Sequence, residues 1–265
     1  MDASLTVGSL QAVIDELRAR NGNLPAAQAG LTPDMLTPDE LAADIGRLEA
    51  WLDVQGLDAN GMDQKTRAAY MIGGLAYAAC SWMAALELTG KAPPIRRVGF
   101  AQERYTYRFA DGTERDYVRY PICFEVGEGP AAHRTTLEQM FAPIIAALMV
   151  TSGLSAGAQW RLVADNVASA FLYAGKGFGQ PERGMEVARD IIAEGRLDNG
   201  KTGFIEVQAG DAAEHFLVRG GCCRYYTTSD AQGEYCTSCV LRKRDDQIAR
   251  YTRYLADTQA AAASA

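Results

Sequence analysis

Apolar residues in the first third of the chain recur at helical spacing. Leu41, Ile45, Leu48 and Leu52 share one helix face, and Thr37-Pro38-Asp39-Glu40 ahead of them is a capping box with Pro at the first helical position. The opening twenty residues read as an amphipathic helix. A longer helix is predicted from about Asp63 to Leu88, ending at Gly90 before Pro93-Pro94. The pattern then changes. Val98–Phe109 and Glu114–Val126 are rich in β-branched and aromatic residues, and Asp111-Gly112 between them signals a hairpin.

Helical periodicity returns over Thr135–Val150, where Thr135 and Glu138 form a second capping-box pattern and Pro143 is expected to kink or split the helix. Further helices are predicted at about 158–174 and 181–194. Short strands are predicted at 203–207 and 214–219, a helix at 245–255, and a frayed tail of alanines. Strands and helices segregate, so the class is α+β: mostly helical, with antiparallel strands at about 98–126 and 203–219 and a C-terminal cysteine loop. We expect one globular chain, residues 1–265, in which a helical part (1–92) precedes an α+β part (93–265) carrying the cysteine segment 214–245.

Composition narrows the function. The chain has 265 residues, 48% of them hydrophobic, and a formal charge of −7, which argues against a general nucleic-acid binder. The N-terminus lacks a basic stretch followed by an apolar one, so a secretory signal is not expected. A cytoplasmic location follows as the default, with the six cysteines reduced. Residues 68–86 carry no charge and are long enough to span a bilayer. They are built from Ala, Gly, Ser and Cys, which favours a buried core helix.

Four cysteines lie close together as Cys222-Cys223-x12-Cys236-x2-Cys239. A Cys-x2-Cys turn brings two thiolates to one centre, and the intervening loop returns the chain so that a second pair completes four soft ligands. Such a set suits zinc, Cu(I) or iron–sulfur centres. Neighbouring side chains diverge, so the adjacent pair favours a [2Fe–2S] cluster over zinc, although a kinked backbone would admit zinc. Arg224, Arg242, Lys243 and Arg244 crowd these cysteines in an otherwise acidic chain. They could dock an acidic ferredoxin or flavodoxin or an anionic siderophore, or they could be a solvated helix start.

The stretch RGGCCRYYTTSDAQGEYCTSC resembles the C-terminal signature of the FhuF-type ferric siderophore reductases. The likeness includes Tyr225-Tyr226 and Arg219, and more weakly the helix Trp160–Phe171. The family usually has ten residues between the cysteine pairs, where this chain has twelve, and often Pro after the last cysteine, where this chain has Val240. The resemblance implies a [2Fe–2S] cluster on Cys222, Cys223, Cys236 and Cys239. It also implies one-electron reduction of a ferric siderophore, of hydroxamate type, with release of Fe(II). The donor would be a ferredoxin, a flavodoxin or a flavoprotein reductase, and the protein could sit at the periphery of the inner membrane. The competing readings are a [2Fe–2S] electron-transfer or redox-sensing protein with another acceptor, and a structural zinc module.

Other signals are weaker. Gly195–Thr202 matches the P-loop pattern, but a helix precedes it and a strand follows, the reverse of a phosphate loop. Gly175–Gly179 lacks the dinucleotide-binding spacing, so direct use of NADPH is not expected. His133 and His215 read as ordinary polar residues, with His215 a candidate spare ligand or hydrogen-bond donor. Cys80 and Cys123 read as packing thiols.

Overall fold

A computed structural model describes residues 7–127 and 132–263. In chain order the elements are α1 (Val7–Arg20), β1 (Ala27–Ala29), α2 (Pro38–Ala43), α3 (Ile45–Val54), α4 (Gln64–Leu88), β2 (Ile95–Phe100), β3 (Glu103–Arg108), β4 (Glu114–Arg119) and β5 (Ile122–Val126). They continue with α5 (His133–Ser152), α6 (Ala156–Gly177), α7 (Pro181–Ile192), β6 (Gly203–Ala209), β7 (Ala212–Val218) and α8 (Arg244–Ala263). Helices predominate over small, largely antiparallel sheets, so the fold is α+β.

The apolar stretch within α4 is the centre of the molecule. Trp82, Met71, Ile72 and Leu75 are buried, and the helix packs along α6, whose Val163, Val167 and Phe171 are buried in the same apolar cluster. By length and composition α4 could cross a membrane, but its surface is covered by the rest of the protein. One apolar cluster runs from Leu10 to Leu197, so the helical first part and the following α+β part share a core. That first part also contains β1, which pairs in parallel with β5. The α6–α7 pair is set close by Gly184, where a Cβ would overlap the Phe171 carbonyl oxygen.

Several local expectations are corrected. The helix predicted to carry Leu41, Ile45, Leu48 and Leu52 breaks at Asp44, which caps α3 by accepting from Arg47 N–H at 2.9 Å. Ile45 is consequently exposed while the three leucines are buried. The two long hairpin strands are each divided near Ala101 and Pro121, since Pro121 has no N–H to give the ladder. The inner halves, β2 and β5, are buried against the core; β3 stands exposed. At the hairpin tip only Gly112 takes a positive φ (+83°), and Asp111 instead accepts from Thr113 N–H.

The second capping box is absent. α5 begins at His133, and the Glu138 carboxylate accepts from Arg196 N–H at 2.8 Å instead. Pro143 does not split α5, because Phe141, Ile144 and Ile145 around it are buried and hold the helix in place. The predicted alanine fray is helical to Ala263, as the high helix propensity of Ala permits.

Candidate metal centre

The cysteine segment begins where β7 ends. Asp165, on α6 and 2% exposed, accepts from four donors there: Thr202 Oγ1 (2.7 Å), Arg219 Nε (3.2 Å), Gly220 N–H (2.7 Å) and Gly221 N–H (3.0 Å). Burial pushes this carboxyl up; the Arg219 guanidinium and the donated hydrogen bonds pull it back. Gly221 is pressed onto α6, and a Cβ would lie 2.9 Å from Leu162 N. The Arg-Gly-Gly run therefore fixes the point from which Cys222 and Cys223 project.

After the pair the chain turns sharply. Arg224 takes a left-handed φ of +62°, a conformation that costs a non-glycine residue about 1 kcal/mol or more. The turn aims two N–H groups at sulfur: Arg224 N–H donates to Cys222 Sγ (3.4 Å), and Tyr225 N–H donates to Cys223. The Arg224 side chain is anchored by an ion pair to Asp63 (2.7 Å), the N-cap of α4, and by a bond to Thr66 (3.2 Å).

The loop to Cys236 is tied to the N-terminal half. Asp230 accepts from Asn60 Nδ2 (2.8 Å) and from Arg115 (2.6 Å), and Ser229 N–H donates to the Asn60 carbonyl (2.8 Å). The Cys236–Cys239 turn is held from behind. Arg242 Nε donates to the Cys236 carbonyl (2.9 Å), and Gln247 donates to the Cys239 carbonyl (2.7 Å).

These clasps bring the cysteines within electrostatic reach of one another. The neighbouring Cys236 thiol, opposed by burial and aided by the Arg219 guanidinium, holds the Cys223 thiol well below its usual range. The same contact pushes Cys236 up, and burial pushes Cys222 up, with Cys223 and Cys239 acting on it in the same sense. None of the six cysteines is in a disulfide. Tyr70 of α4 lies beside Cys223 and Cys236, and burial together with those thiols pushes its phenol well above the usual range.

Four thiols in one clasped segment, with N–H and guanidinium donors near sulfur, are soft donors of the kind that zinc, Cu(I) or iron–sulfur centres take. Among the described residues, no group of three or more His, Cys, Asp or Glu side chains is arranged to hold a metal.

The basic residues flanking the cysteines divide. Arg242 is 8% exposed and committed to Cys236, Tyr235 and Asp246, so it braces the loop and is not offered to a partner. Arg224 is engaged by Asp63, while Lys243 and Arg244 are exposed. His133 pairs with Glu87 (3.0 Å) at the start of α5, and His215 lies on β7 opposite Glu206. Cys80 and Cys123 are buried packing groups. Sequence reading missed Asp165 and Tyr70; the signal for Asp165 was a lone carboxylate in the apolar run 162–172. Comparison with family models, curated proteins and solved structures gives no match.

Proposed function

We propose that this protein is a ferric-siderophore reductase of the type its cysteine motif resembles, with Cys222, Cys223, Cys236 and Cys239 holding a [2Fe–2S] cluster. The observation that supports the reading is the Cys-Cys-x12-Cys-x2-Cys pattern in a segment clasped to the rest of the fold, with Arg219 beside Cys223 and the Arg224 N–H directed at Cys222. When bound, such a cluster supplies single electrons at a potential set by hydrogen bonds to sulfur and by solvent exposure. Arg219, Arg224 N–H and Tyr225 N–H are the groups that would tune it, and the Asp165 clasp holds Arg219 in place. The partly exposed Cys222 and Cys223 put that end of the site within reach of a docked complex.

The net reaction takes one electron from a reduced donor protein of the ferredoxin, flavodoxin or flavoprotein class and converts chelated Fe(III) to Fe(II). Hard oxygen donors hold the ferrous ion far more weakly, so the metal is released without an acid–base group from the protein. A cytoplasmic location accompanies the reading, since thiols stay reduced there. Anaerobically reduced protein mixed with ferric hydroxamate and ferric catecholate complexes in a stopped-flow instrument tests it. Reoxidation with appearance of Fe(II) is expected; a reduced protein that neither complex reoxidises would sink the proposal.

A further inference from the structure

Beside Cys222 lies a concave groove of about 710 Å³. Its lining includes six cationic side chains, Arg161, Lys201, Arg219, Arg224, Arg242 and Arg244, and no aspartate or glutamate among the described residues. This concentration stands out in a chain of net charge −7. The carboxylates that compensate it lie behind the surface, with Asp165 on Arg219, Asp63 on Arg224 and Asp246 on Arg242. Arg161, Lys201 and Arg244 have no carboxylate partner among the described residues, and all three are exposed. Two of the six come from elements far from the cysteines in sequence: Arg161 from α6, and Lys201 from the turn that imitates a P-loop.

From this geometry we infer that the groove binds the ferric chelate, and that the chelate it selects carries net negative charge. The inference rests on the reading above and deepens it. A concave site of this size suits a small ligand, which occupies cavities of roughly 300–1,000 Å³, whereas a protein donor spreads over a larger, flatter patch. Charge then decides the class. Three singly charged hydroxamates cancel the charge of Fe(III) and leave a neutral complex, which gains nothing from the uncompensated cations Arg161, Lys201 and Arg244. Three doubly charged catecholates leave a trianion. Cations rimming a partly desolvated groove attract a trianion at long range and bind it at contact. Tyr226 and the aliphatic Val240 and Leu241, also on the lining, supply surface for the aromatic rings.

The test uses redox-inert gallium(III) complexes, so binding is read without turnover. Isothermal titration of the purified holoprotein with a hexadentate gallium tris-catecholate and a gallium tris-hydroxamate should show the trianion binding at least about tenfold tighter at low salt, with the preference shrinking as salt rises. The double variant Arg161→Glu/Lys201→Glu, both exposed sites, should weaken the trianion by about tenfold or more and leave the neutral complex within about twofold. An equal charge reversal on the remote exposed pair Arg104→Glu/Arg108→Glu should change neither. Equal affinity for both complexes, or a trianion affinity untouched by the groove variant, overturns the inference. So does a groove variant that slows only reduction by the donor protein, which would mark the groove as a donor-docking face. If a ferric tris-hydroxamate reoxidises the reduced protein while the trianion does not bind, this inference fails and the reductase reading stands. If neither chelate reoxidises it, the reading itself fails.

Discussion

Helices α4 and α6 pack along each other within one apolar cluster that buries Leu75, Trp82, Val163, Val167 and Phe171, whereas from Gly220 to Gln247 the chain is fixed mostly by polar contacts. Within the cysteine loop residues 232–235 are exposed, and little beyond Thr228, Ala231 and Cys239 is buried. Nondirectional apolar burial sets the core, while directed hydrogen bonds from Asp165, Asp230, Arg242 and Gln247 place the sulfurs. A hydrogen bond fixes direction at a net contribution of only about 1 kcal/mol each, so the loop is accurately placed yet weakly held. The two regions should therefore respond to different perturbations.

The largest effect is expected in the core. Phe171→Ala should lower stability by about 3–5 kcal/mol, read as a shift in the denaturant midpoint, while the folded fraction retains its full metal content. Asp165→Asn joins the two regions. Breaking a buried charge pair and its clasp should cost about 3 kcal/mol and also speed loss of bound iron to a chelator. A core variant matched to it in stability should not share that second effect; if it does, Asp165 is only a stability residue.

Acidification should loosen the loop before the core. Hydrogen bonds from Arg115, then from Asn60, hold Asp230 below the usual carboxylate range. Because the folded value is the lower one, the stabilisation is complete above the ordinary carboxylate pKa and fades as pH falls through the depressed value. Amide exchange around residues 227–232 should rise in that acid window. Asp230→Asn should remove the pH dependence at a cost of about 1 kcal/mol. An unchanged acid response in that variant would show that other carboxylates carry it.

Legibility in the sequence follows the same division. α4 could be read from an uncharged apolar stretch and the candidate ligand set from cysteine spacing, since both are local signals. The break at Asp44, the bend at Pro121 and the parallel strand β1 depend on partners distant in sequence, so periodicity could not place them. The surroundings of the site were hidden for the same reason. Tyr70, Asp165, Arg161 and Lys201 are unremarkable where they stand in the chain and meet the cysteines only through the fold. Arg242 stood in plain view among the basic residues, and its position was compatible with docking or with a solvated helix start; its bonds to the loop carbonyls give it a bracing role instead.

The central proposal is that the four cysteines of the clasped segment hold a two-iron cluster. Protein purified anaerobically should be red-brown, contain two irons and two inorganic sulfides per chain as that cluster type requires, and bleach with dithionite to a species visible by electron paramagnetic resonance. Colourless protein with one zinc per chain, its content lost in a Cys223→Ser variant, would contradict the account.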